Sequence, residues 1–271
     1  LEPFYVEPEA ELEKSVDFVV ASLKKSKRPV IWLGHGINLS GASHLIEPLL
    51  EKTNSPSLVT WAGIDMVDSY HPLVFGRAGT YGQRCANFVV QNCDFLLCIG
   101  TRMAISQIGY EISELARDAK VIAVDIDRNE LEKYKNRYER IICADAAAFM
   151  KKMIEKSVSL NGDAFSDWIN QCNDYRVKYP WFSPSDHPDV DGYINSYQFM
   201  DRLNKHLKPN QIITTDMGTA LLSGHQVLKI KKGQRLMTST GLDATMGAEV
   251  VATRVFPRLG DLGLGSGGFV T

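Results

Sequence analysis

The sequence predicts an α/β fold, a doubly wound parallel sheet followed by a partial second α/β domain. Three observations carry this. Short apolar runs alternate with stretches of helical periodicity from residue 9 to residue 156. Several of those runs end in glycine or in a carboxylate, at Gly34, Gly100 and Asp125. A second strand-to-glycine passage begins near residue 211, after a proline- and aspartate-bearing stretch.

The elements follow in order. Residues 1–8 are extended and proline-bearing and read as a linker, with the first domain starting near residue 11. Leu12, Val16, Phe18, Val19 and Leu23 recur at helical spacing, which predicts a helix over 9–26. The run 29–33 is a strand broken by glycines. Residues 42–53 are helical, with Leu45, Leu49 and Leu50 on the apolar side. Strands are expected at 56–60, 95–99, 120–125 and 141–143, and helices at 86–91, 112–119, 129–135 and 146–156. A turn over 157–162 precedes a helix over 163–179, which completes a first domain ending near residue 180. Residues 181–194 form an interdomain linker. The second unit, 195–247, has a helix over 195–206 and a strand over 211–215. Residues 248–271 form an atypical glycine-rich tail.

Composition excludes several classes. A net charge of -2 gives no bulk attraction to nucleic acid or to anionic membranes, so neither is expected as a partner. No apolar run reaches membrane-spanning length. The five cysteines are odd in number and form no CxxC pair, which argues against a disulfide framework or a zinc site and fits a reducing cytoplasm. The missing four-cysteine zinc set also disfavours an NAD-consuming deacylase.

Candidate ligand residues cluster at strand ends. Gly34-His-Gly36 follows a strand and can admit a diphosphate to backbone amides, or serve only as a tight turn. Gly100-Thr-Arg102 adds a planar cation suited to phosphate. Asp125 and Asp127 end the next strand, where a carboxylate can accept from ribose hydroxyls. Asp127 is equally a helix N-cap, because Glu130 stands three residues on as in a capping box. Asp145 shares that ambiguity. Asn87 reads as a residue that hydrogen-bonds a loop, and Arg84 as a brace for neighbouring carboxylates.

These phrases, with Tyr81-Gly-Gln-Arg-Cys-Ala-Asn87 and Thr214-Thr-Asp-Met-Gly218, resemble thiamine-diphosphate enzymes of the acetolactate synthase type, from the central domain into the start of the diphosphate-binding domain. The resemblance implies 2-keto acid decarboxylation and carboligation in a complete enzyme. Thiamine diphosphate and magnesium would be the cofactors, a 2-keto acid the substrate and a homo-oligomer the working form. In some relatives a central cleft holds FAD or ADP. The positions carried over are Gly34, Gly36, Gly100, Arg102, Asp125, Ile126, Asp127 and Asp145. The second unit contributes Gly218, His225 and Met246, the last as a wedge between the thiamine rings or equally as a core residue.

The resemblance weakens after residue 240. Asp243 is extra in Gly241-Leu-Asp-Ala-Thr-Met-Gly247, and Asp261 lacks the asparagine partners of a magnesium motif. No glutamate stands in the family's catalytic motif, so no catalytic residue and no metal ligand is assigned. The expected reading is a section of such an enzyme, inactive alone. The alternative is a non-catalytic ADP- or FAD-binding module.

Overall fold

The computed structural model describes residues 6–157, 163–215 and 218–238. The chain divides into two compact units, Leu1–Trp181 and Phe182–Thr271.

The first unit is built on five parallel strands: β1 (Pro29–Leu33), β2 (Ser57–Val59), β3 (Phe95–Ile99), β4 (Lys120–Asp125) and β5 (Arg140–Cys143). Their spatial order is β2-β1-β3-β4-β5. Registers are unbroken, with Leu33 opposite both Val59 and Ile99, and Val124 opposite Ile99 and Ile142. Parallel strands need crossovers, and the crossover helices cover both faces of the sheet. That is why β1 and β3 are buried at every residue and read in the sequence as unbroken apolar runs.

Alternation along β1 sorts the core into two layers. Ile31 and Leu33 join the layer formed with α1 (Glu9–Lys25), α3 (Ile46–Thr53) and α7 (Ala146–Lys156). Val30 and Trp32 join the layer formed with α4 (Arg84–Gln91) and α8 (Ser166–Lys178). Shorter helices leave the carboxyl ends of three strands: α2 (Gly36–Leu39) after β1, α5 (Ile105–Ile108) after β3 and α6 (Arg128–Glu132) after β4.

Three predicted helices depart from expectation, and the one over 129–135 ends at Glu132. The stretch 112–119 forms only a 3-10 turn at Ile112–Glu114. Ala116 is left-handed, with φ 46°. Arg137 Nη2 donates to the carbonyls of Leu115 and Ala116, and Nη1 to that of Ala119, so a distant side chain takes acceptors a helix would use. The helix over 42–53 begins instead as a 3-10 turn, Ser43–Leu45, before α3. Pro48 lies in the first turn of α3, where the missing amide costs no hydrogen bond. Asn54, left-handed at φ 45°, ends that helix.

In the second unit, α9 (Ser196–His206) and α10 (Thr219–Val227) accompany a two-stranded parallel sheet, β6 (Ile212–Thr215) with β7 (Arg235–Thr238). The stretch 181–194, read as a linker, contains a 3-10 turn at Pro184–Asp186 and a β-bridge between Val190 and Tyr193 closed through left-handed Asp191 and Gly192. Met246 and the tail 248–271 lie outside the described residues, as does most of the predicted turn 157–162.

Candidate functional site at the carboxyl edge of the sheet

Strand order fixes where a ligand site can form. From β1 the chain runs outward to β2, then returns to place β3 on the other side of β1. The loops after β1 and β3 therefore leave in opposite directions, and open α/β sheets hold ligands at such a switch point. Gly34, Gly36, Gly100 and Arg102 all lie there, and Asp125, Ile126, Asp127 and Asp145 continue the same edge over β4 and β5.

The two glycine loops touch. Gly34 N donates to Ile99 O at 2.8 Å and Gly36 N to Gly100 O at 2.9 Å. A Cβ on Gly36 would come 2.8 Å from Gly100 Cα, and one on Gly34 would collide with the Gly100 carbonyl. Gly100 is itself left-handed, with φ 60°. Glycine is required at these three positions so that two backbones can pass.

The charged residues are paired within the chain. Arg102, 76% exposed, donates from Nη2 to Glu130 Oε1 at 3.1 Å, and Lys133 holds the other oxygen. Burial pushes the Glu130 carboxyl up, but hydrogen bonds from Lys133 and Arg102 outweigh it and hold the group below its usual range. Asp125 runs the other way. Half-buried, its carboxyl is pushed up by burial and by the charges of Glu130 and Asp127, against hydrogen bonds from the amides of Asp127 and Ile126. Asp127 caps α6 by accepting from Asn129 N at 2.8 Å, and Asp145 caps α7 by accepting from Ala148 N at 3.0 Å. Glu130 does not close a capping box, because its carboxylate is spent on Arg102 and Lys133. Ile126 is exposed.

The passage Tyr81–Asn87 pins the glycine loop against this edge. Asn87 accepts from Gly79 N at 2.8 Å and donates to Gly79 O at 3.0 Å, as its loop reading predicted. Among the described residues Arg84 has no ion pair with a carboxylate; its guanidinium lies 4.6 Å from the Tyr179 ring. Arg77, inside the same loop, is 1% exposed and lies 4.7 Å from the Trp181 ring. Burial lowers its guanidinium to about 9.

Sequence reasoning did not single out two residues of this edge, Thr60 and Gln107, and read His35 only as part of the glycine turn. Thr60 Oγ1, His35 Nδ1 and Gln107 Nε2 are buried without a hydrogen-bond partner among the described residues, the first two on the loops after β2 and β1 and the third in α5. Thr60 could have been found by the argument used for Asp125, since it is the polar residue that directly follows a strand.

In the second unit, Gly218 is left-handed (φ 82°) and precedes α10. His225 is buried within α10, and its Nδ1 lies 2.9 Å from Leu221 O, one turn back. Among the described residues no three His, Cys, Asp or Glu side chains are grouped to hold a metal ion.

Residues 16–153, half of the chain, match the family model for the central domain of thiamine pyrophosphate enzymes. The chain belongs to this family. The central domain so defined contains the whole five-stranded sheet and both glycine loops of the switch point. The similarity extends beyond it. The chain is 28% identical to the acetolactate synthase large subunit of Lactococcus lactis over 251 residues, covering 92% of this chain and 42% of that one. It is 29% identical to the acetolactate synthase isozyme 1 large subunit of Escherichia coli, covering 87% and 40%. It is 30% identical to the probable acetolactate synthase large subunit of Methanocaldococcus jannaschii, covering 83% and 38%. The chain therefore spans about two fifths of the length of these relatives. No helix among the described residues is long and apolar enough to cross a membrane.

Proposed function

We propose that this chain is a section of a thiamine-diphosphate-dependent enzyme of the acetolactate synthase type, which decarboxylates a 2-keto acid and joins the remaining carbon fragment to an acceptor carbonyl. The observation that carries the reading is the central-domain match over residues 16–153, continued by similarity to acetolactate synthase large subunits along most of the chain. Thiamine diphosphate supplies the nucleophilic carbon in such chemistry, and the protein's part is to bind and orient. The share of this chain is the central scaffold and the opening of the diphosphate-binding unit around Gly218, with Met246 and His225 beside the cofactor in the complete protein.

On this reading the chain alone is inactive. What supports this is the sequence: no glutamate stands in the family's catalytic motif, and Asp261 lacks the asparagine partners of a magnesium motif. The working form is a homo-oligomer of a longer chain, in which magnesium would help hold the diphosphate. The alternative of a non-catalytic ADP- or FAD-binding module gains nothing from Arg102, whose guanidinium is paired with Glu130.

The test compares this chain with a longer polypeptide from the same reading frame. Both are incubated with a panel of 2-keto acids, thiamine diphosphate and magnesium. Carbon dioxide release by the longer polypeptide and none by this chain is the expected result. A longer polypeptide that neither binds thiamine diphosphate nor decarboxylates any member of the panel would sink the proposal.

A further inference from the structure

We infer that the switch-point crevice of this central domain holds neither FAD nor ADP, and that its glycines and carboxylates act as a seam joining β1, β3 and β4. A site for a diphosphate at a sheet edge needs backbone amides, the N-terminus of a sizeable helix, and unspent positive charge. Each is compromised here by a different observation.

The amides of both glycines in Gly34-His-Gly36 are spent on Ile99 O and Gly100 O, and Ile37 N donates to Gly34 O. The bare faces of Gly34 and Gly36 are filled by the Gly100 backbone, so the missing side chains admit protein rather than ligand. The helices after β1, β3 and β4 have four, four and five residues, too short to sum much of a macrodipole. The longer α7, after β5, already has the Asp145 carboxylate on its first-turn amides.

Charge points the same way. Arg102 is bound to Glu130, and the charges of Asp125 and Asp127 act on it as well. The edge over β3 to β5 carries Asp125, Asp127, Glu130 and Asp145 against Arg102 and Lys133, while Arg128 is paired with Glu132. An incoming diphosphate would meet more negative than positive charge. The polar atoms at this edge without a partner among the described residues, on Thr60, His35 and Gln107, follow β2, β1 and β3, whereas Asp125, Asp127 and Asp145 follow β4 and β5.

The seam also assigns jobs to the residues a nucleotide would otherwise claim. Asp125 accepts from Asp127 N at 3.0 Å and so fixes the turn out of β4, and Gly100 N donates to Val124 O at 2.8 Å, tying that turn to β3.

The test is calorimetric titration of the purified chain with ADP and with FAD, beside thermal melts of the wild type and Gly34→Ala. The expected result is no saturable heat for either nucleotide up to about 1 mM. Gly34→Ala should lower the Tm by about 5 °C or more, because the added methyl meets backbone that cannot rotate away. Saturable binding of either nucleotide overturns the inference. So does an unchanged Tm in Gly34→Ala, which would mean that the space beside Gly34 is open. Neither result bears on the keto-acid reading, which rests on the family match and not on this crevice.

Discussion

Trp168 and Pro29 lie 139 residues apart in sequence, and the indole Nε1 of the first donates to the carbonyl of the second at 3.0 Å within the core. The bond joins α8 to the first residue of β1. The family match ends at residue 153, yet Trp168 and Cys172 of α8 are buried in the same layer as Trp32 and Leu96. The helix is part of the central folding unit. Trp168→Phe keeps most of the ring and leaves the Pro29 carbonyl without its donor, so it should cost about 1–2 kcal/mol in chemical denaturation. An unchanged midpoint would show that water replaces the indole at no cost.

The glycine loop depends on Asn87, which meets both the amide and the carbonyl of Gly79. Asn87→Ala removes both partners from a half-buried backbone. The expected loss is about 1–3 kcal/mol, accompanied by faster amide exchange across residues 76–83. Asp in place of Asn would keep the acceptor and lose the donor. Asn87→Asp should therefore fall between wild type and alanine in the same exchange measurement.

Asp125 is the acid whose native pKa is raised, by burial first. A carboxyl that holds its proton more tightly in the folded state costs stability while ionised, and the cost disappears as pH falls through the folded pKa. Asp125→Asn keeps an acceptor for Asp127 N and removes the charge. It should match or exceed wild-type stability at pH 7, by up to about 1 kcal/mol, and the difference should shrink on acidification. Glu130 has the opposite sign: its pKa is held down, so its contribution is present above the unfolded value and fades as pH falls through the folded one. Glu130→Gln should therefore be less stable than wild type at pH 7, and the gap should close in acid. Melts of the three proteins across pH 3–7 distinguish the two carboxylates.

All five cysteines are buried thiols in no disulfide. Burial pushes the Cys93 thiol to about 12 and raises Cys98 further. Ellman's reagent should therefore titrate no thiol rapidly in the native chain and all five after unfolding in guanidinium. A fast native thiol would place one of them at an opening the fold does not show.

Much of the fold was legible because its signal is local. The strands at Pro29–Leu33, Phe95–Ile99 and Lys120–Asp125 coincide with their predicted runs, since strands covered on both faces are written as unbroken apolar segments. The stretch 112–119 failed because Arg137, some twenty residues on, takes the carbonyls its helix would use. Nothing local announces that contact. The position of the candidate edge was legible for the same reason as the strands: a residue at the end of a parallel strand stands at the carboxyl edge whatever its partner. The partners were not legible. Glu130 satisfies a capping-box spacing and instead binds Arg102, and Arg77 lies buried against Trp181 across more than a hundred residues. His225 and Met246 rested on resemblance alone; the first is buried in α10 and the second lies outside the described residues.

The most direct measurement is carbon dioxide release from carboxyl-labelled pyruvate by this chain alone, with thiamine diphosphate and magnesium in excess. The account predicts release no faster than from the cofactor free in solution, because the proposed function assigns the groups that activate it to the longer polypeptide. Enzymatic release, abolished by unfolding the chain, would contradict it and would mean that residues 182–271 complete a working site.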